Sequence, residues 1–89
     1  MSMSMTATPD TIELELLGFL KNKTKAQWTA DRDLFADGGL SSLFAMELVV
    51  HLEQRFGITI AGSDLQLKNF RTVTSMVELV VKLQRGIGA

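Results

Sequence analysis

Apolar residues return at helical spacing in three stretches of the chain, separated by segments without a period. In the first stretch Ile12, Leu16, Phe19 and Leu20 share one face, with Leu17 on its shoulder. Glu13, Glu15 and Lys21 lie away from that stripe. Pro9 suits a first helical turn and Thr8 before it can cap, so the pattern predicts a helix over residues 10–22. Leu14 falls off the stripe and is expected to be partly exposed. Residues 23–40 carry no sustained period and read as a long connection of the anchored or functional kind. A large apolar pair in a polar loop tends to plug a core, so Leu34 and Phe35 are its expected anchor. Trp28 reads either as a second plug or as a contact surface.

The second periodic stretch predicts a helix from Ser41 to Phe56, stopped by Gly57. It carries two apolar groups. Ala45, Leu48, Val49, Leu52 and Phe56 make the core stripe. Leu43, Met46 and Val50 lie mostly on the other side, beside Glu47, Glu53 and Gln54. Two readings stay open for that second group: a helix buried nearly all round, or a partner-facing apolar patch with an acidic rim.

Ile58-Thr59-Ile60 alternates, but no second strand-like run exists to pair with it. An extended connection tucking both isoleucines inward is the simpler expectation. Gly62-Ser63-Asp64 gives a turn and a cap, and a short helix is expected over residues 64–69, held by Leu65, Leu67 and Phe70. Thr72 opens the last helix, whose apolar face is Val73, Met76, Val77, Val80, Val81 and Leu83. Thr74, Glu78, Lys82 and Arg85 share the opposite face. The expected organisation is a tail over residues 1–8, one helical domain over 9–85 and a second tail over 86–89.

Composition narrows the function classes. A hydrophobic fraction of 46% against 21% charged residues indicates a folded chain rather than a disordered one. With a net charge of -1 there is no basic field to draw nucleic acid. Without cysteine there is neither a disulfide framework nor a thiolate metal site. The opening Met1-Ser2-Met3-Ser4-Met5-Thr6 lacks the features of a signal peptide, and no stretch is long and apolar enough to span a bilayer. A cytoplasmic location is the resulting expectation.

The carboxylates are scattered, and His51 stands alone in the second helix, where it reads as a surface residue rather than a metal ligand. No nucleophile elbow is present, and Gly38-Gly39 is not followed by the Gly-Lys-Ser/Thr of a phosphate-cradling loop. The chemistry therefore points to a binding or carrier module, with no catalytic residues and no metal.

The informative stretch is Gly38-Gly39-Leu40-Ser41-Ser42-Leu43, where loop gives way to helix. Ser41 suits an N-cap, because its hydroxyl can accept from amides left unpaired at a helix start. Ser42 would then lie in the first turn, pointing outward, with the positive end of the helix dipole beneath it. A phosphate on that hydroxyl would sit where helices hold anions well. The same two serines also read simply as caps.

Leu34-Phe35, Gly39-Leu40-Ser41-Ser42-Leu43, Glu47-Leu48, Leu52-Glu53, Phe56-Gly57-Ile58 and Phe70-Arg71-Thr72-Val73 follow one another in an order and spacing that resemble an acyl carrier protein of the phosphopantetheine-binding superfamily. The likeness covers residues 10–85. It implies an all-α four-helix bundle with a short third helix and a long loop between helices one and two. It implies that Ser42 is esterified with 4'-phosphopantetheine taken from coenzyme A, and that the thiol at the arm's end carries acyl groups as thioesters. The transfer would be made by a separate phosphopantetheinyl transferase supplying the base and magnesium. Ser41, Leu43, Met46, Glu47, Val50 and Glu53 match the family's partner-contact positions.

The implied partners are that transferase, an acyl-loading enzyme, and a ketosynthase, acyltransferase or other pathway enzyme. A monomer without nucleic-acid or membrane binding is implied. Family members usually have Asp before the modified serine, whereas Ser41 stands here. Ser42-Leu43-Phe44-Ala45 and the run from Asp64 to Arg71 most resemble freestanding carriers of polyketide and antibiotic pathways, some of which hold an extender unit. Fatty-acid synthesis and D-alanine or aminoacyl/peptidyl carriage are the alternatives within the family. An unmodified helical docking domain is the alternative outside it.

Overall fold

The computed structural model describes residues 8–36 and 39–86. Most of both expected tails, and Gly38 of the loop before the serines, lie outside that range. The described residues form three α-helices and no strand: α1 (Pro9–Thr24), α2 (Phe44–Phe56) and α3 (Val73–Gln84). The all-helical expectation holds, but the fourth helix is not found. In place of one short helix over residues 64–69, the chain makes two 3₁₀ turns, Gly62–Asp64 and Leu67–Phe70. The reason is local. Leu65 at φ -83°, ψ 67° and Gln66 at φ -127°, ψ 141° both leave helical geometry, so no i→i+4 ladder can run through them.

α1 begins as its sequence suggests. Thr8 Oγ1 accepts from the Thr11 amide at 3.2 Å, and Pro9 occupies the first turn, where a missing N–H is harmless. The helix runs past residue 22 and ends with Lys25 in the left-handed region, its N–H donating to Lys21 O at 2.8 Å. Leu14 is 71% exposed, more than the partial exposure its off-stripe position suggests.

α3 is the hub on which α1, α2 and the second 3₁₀ turn all pack. Val73, Met76, Val77, Leu79 and Val80 are buried along it. They meet Ile12, Leu16 and Leu20 of α1 and Leu48, Val49 and Leu52 of α2. Thr72 caps α3 through its hydroxyl, which accepts from the Ser75 amide at 3.0 Å. Ile58 and Ile60 both tuck inward from an extended link, as their alternation predicts. The Ile60 amide donates to the Glu53 carboxylate at 2.8 Å, which fixes that link to the end of α2.

The long connection is tied down at several points. Leu34 is fully buried, its N–H donates to Arg71 O at 2.7 Å, and its carbonyl accepts from Leu40 N at 2.8 Å. Ala30 O accepts from both the Thr74 amide and the Thr74 hydroxyl at the start of α3. Arg71 adds an ion pair to Asp33 at 3.2 Å. Phe35 is only half-buried, so Leu34 carries most of the anchoring. Trp28 resolves as a plug with a polar handle. Its ring packs on the core, its Nε1–H donates to Thr24 Oγ1 at 2.7 Å, and Arg32 lies over it at 4.2 Å.

His51 is not the surface residue its sequence context suggests. Its ring is half-buried and stacks on Phe19 of α1, with centroids 3.9 Å apart and planes 18° from parallel. Nε2 is buried without a hydrogen-bond partner among the described residues. Burial holds its pKa below the ordinary 6.5, against the opposing pull of Glu15 and with help from Arg55 and Lys23. Nearby, Arg55 donates to Glu15 at 2.7 Å, and this bond holds the Glu15 carboxyl below the usual carboxylate range.

Two measurements test this architecture. Leu34→Ala should lower unfolding stability by about 2–5 kcal/mol in denaturant titrations. Leu14→Ala should stay within about 0.5 kcal/mol, because its side chain is already in water. The second measurement is stability against pH. A histidine with a depressed folded pKa contributes stability that is full above its unfolded value and lost as the pH falls below it. Stability should therefore decline on acidification below pH 6.5, and His51→Phe should flatten that part of the curve. The loss below pH 4.5, where Glu15 gains its proton, should remain in the variant.

Candidate functional site at the start of the second helix

The loop reaches α2 through a close approach of backbone. A Cβ on Gly39 would collide with the carbonyl oxygen of Leu34, and would also come within 3.0 Å of Ala36 O. The Gly39 amide donates to Ala36 O at 2.9 Å, and the next amide, from Leu40, reaches Leu34 O. Glycine is required here because nothing larger fits between those two carbonyls. The buried Leu34 thus places Leu40, and Leu40 leads directly into the two serines.

α2 starts at Phe44 rather than at Ser41. The carbonyls of Ser41, Ser42 and Leu43 accept from the amides three residues on, at 2.9, 3.1 and 3.1 Å, so a 3₁₀-type turn leads into the helix. This corrects the expected hydroxyl cap. The Phe44 amide is already taken by the Ser41 carbonyl, and Leu43, at the N-cap, makes no side-chain bond. Ser41 starts the helix with its main chain, and its side chain is exposed.

Ser42 is exposed in that turn, and its hydroxyl has no hydrogen-bond partner among the described residues. The amides of Ser42 and Leu43 likewise have no acceptor there. Two donors and the positive end of α2 therefore stand beside a free primary alcohol, a setting that suits a phosphodiester. Among the described residues no base is hydrogen-bonded to that alcohol. His51 lies nine positions on, roughly 13 Å along a helix at 1.5 Å per residue, and is stacked on Phe19. Among the described residues no group of His, Cys, Asp and Glu could hold a metal ion.

The predicted partner positions separate into two sets. Leu43, Met46 and Val50 are 78%, 59% and 48% exposed and form an uncovered apolar ridge down α2 from Ser42. Of the two open readings for this group, burial all round is ruled out. Glu47 is on the same side, but its carboxylate pairs with Lys23 of α1 at 3.7 Å. Glu53 is turned to other work: it is half-buried and accepts from the Ile60 amide. Sequence reading missed Phe19, Lys23 and His51, which line an open groove with Met46, Glu47 and Val50. The helical spacing of Glu47 and His51 was visible, but only tertiary packing brings α1 beside them.

No helix among the described residues is long and apolar enough to cross a membrane. A family model described as a phosphopantetheine attachment site matches residues 15–85. The D-alanyl carrier protein of Streptococcus suis is 40% identical over 53 residues, covering 60% of this chain and 67% of that protein. The D-alanyl carrier protein of Streptococcus pyogenes serotype M5 is 43% identical over 54 residues, covering 61% of this chain and 68% of that protein. No solved structure gives a significant match. The chain belongs to the phosphopantetheine-binding carrier proteins, which are not enzymes and whose cofactor is 4'-phosphopantetheine.

Proposed function

We propose that Ser42 Oγ is the attachment point of the 4'-phosphopantetheine arm and that the chain presents thioester-bound cargo to partner enzymes. The observation that supports this best is the free Ser42 hydroxyl, exposed at the head of an uncovered apolar ridge. In the attachment step Ser42 Oγ would bond to the phosphorus that joins the arm to the rest of coenzyme A, and adenosine bisphosphate would leave. The Ser42 proton passes to a base of the transferase. When bound, the arm supplies a thiol for acyl exchange. The chain's own part is to hold the attachment oxygen out of its core, on a short turn fixed by Leu34 and Gly39.

The cargo we propose is D-alanine or a similarly small aminoacyl group. The relatives named D-alanyl carrier proteins support that alternative over the polyketide extender unit suggested by local resemblance. The ridge of Leu43, Met46 and Val50 is the proposed docking surface for transferase and loading enzyme. Ser41 flanks it. Its missing charge removes one acidic contact and leaves the helix start intact, because the main chain caps it.

Two experiments test these readings separately. With coenzyme A, magnesium and a broad-specificity phosphopantetheinyl transferase, the intact mass should rise by one arm. Ser42→Ala should show no rise while keeping its helical circular dichroism, and unchanged labelling of that variant would remove Ser42 from the role. The loaded protein should then be offered D-alanine with ATP and a D-alanine-activating ligase, or malonyl-coenzyme A with an acyltransferase. A D-alanyl thioester in the first mixture is the expected product. Loading in the second mixture alone would overturn the cargo and leave the carrier function standing.

A further inference from the structure

The docking ridge of α2 does not end at its own residues. Met46 and Val50 also line a groove with Phe19 and Lys23 of α1 and with His51, whose ring stacks on Phe19. The groove encloses about 420 Å³ and opens to solvent. Its charges come from two different helices. Lys23 Nζ stands 3.7 Å from Glu47 Oε1 and 5.8 Å from the Phe19 ring centre, so α1 holds a cation against the acid of α2. The other candidate charges nearby are committed elsewhere: Glu53 to the Ile60 amide, and Glu15 to Arg55. Gln54 at the lower end is neutral. The acidic rim read from α2 alone is therefore balanced by a base at its edge.

We propose that this groove is the second half of the docking surface and that it selects a two-signed partner. The occupant is a surface segment of the phosphopantetheinyl transferase: an apolar side chain seated against Phe19, Met46 and Val50, with an acid facing Lys23 and a base facing Glu47. The inference rests on the carrier reading above and adds the chemistry of the partner's face. Both charged side chains remain about half exposed, 47% for Lys23 and 56% for Glu47, so each can turn from the other to a partner. The exchange is near neutral in energy, because an exposed pair of this kind is weak. A wholly basic partner surface would instead have to displace Lys23 and would meet its repulsion.

The experiment compares initial rates of phosphopantetheinylation by the host's own transferase for wild type, Lys23→Glu, Glu47→Lys and the double exchange. Rates are taken at low and high salt, with circular dichroism confirming the fold of each. Both single reversals should lower kcat/KM about two- to fivefold at low salt, with the difference shrinking at high salt. The double exchange restores the internal pair but reverses both signs toward the partner, so it should stay slow. A faster Lys23→Glu alongside a slower Glu47→Lys would overturn the proposal in favour of a one-signed acidic face. Recovery of the wild-type rate by the double exchange would show that only the internal pair matters, and unchanged rates throughout would show that charge plays no part; either result overturns it. No modification of the wild type would instead sink the carrier reading itself.

Discussion

Leu34 is the point at which the long loop is made to serve the fold. Its side chain is closed off from water inside the bundle, and both of its main-chain polar groups are spent on tertiary bonds, to Arg71 and to Leu40. A buried amide or carbonyl without a partner would be strongly unfavourable, so the burial of this one residue dictates where its neighbours run. Gly39 follows from it, since the chain must pass within contact distance of the Leu34 carbonyl. The serines follow from Gly39. An exposed alcohol on a turn would otherwise be poorly placed, because loops wander unless they are held. Here the alcohol inherits its position from a residue eight places earlier that no solvent reaches.

Much of this was legible in the sequence, for identifiable reasons. The stripes of α1, α2 and α3 repeat at helical spacing and supply most of the buried core, while Leu34, Ile58, Ile60 and Phe70 join it from the connections and Leu79 from outside the expected face of α3. Leu34 stood out as an apolar residue in a polar stretch. Ser42 stood out because it follows Gly38-Gly39 and Ser41 at the point where loop gives way to helix. The parts that were hidden depend on facts a linear pattern does not carry. Leu65 and Gln66 break the expected third helix through backbone angles, although their side chains suit a helix well enough. Ser41 does not cap because a carbonyl reached the amide first. Glu53 looked like a surface acid until the link after α2 folded back to present the Ile60 amide.

His51 shows the same limit from another side. Nothing about a lone histidine on a helix announces that a phenylalanine from another helix will lie flat on it. Once the stack forms, the imidazole is better neutral than charged, and the junction of α1 and α2 becomes sensitive to acid in a way that no local motif encodes. The charges around it were visible singly, as Lys23, Glu47, Glu15 and Arg55. Their pairing, Lys23 with Glu47 and Arg55 with Glu15, was not.

α2 answers to two masters through two stripes. Leu48, Val49 and Leu52 belong to the bundle, while Leu43, Met46 and Val50 remain in water and forgo the stabilisation that burial of such side chains brings. The two stripes lie mostly on opposite sides of one cylinder, and Met46 adjoins the core-side Ala45 and Val49 where they meet. The consequence is a division of labour within thirteen residues: one side of the helix is spent on the bundle, and the other keeps large apolar side chains in contact with water.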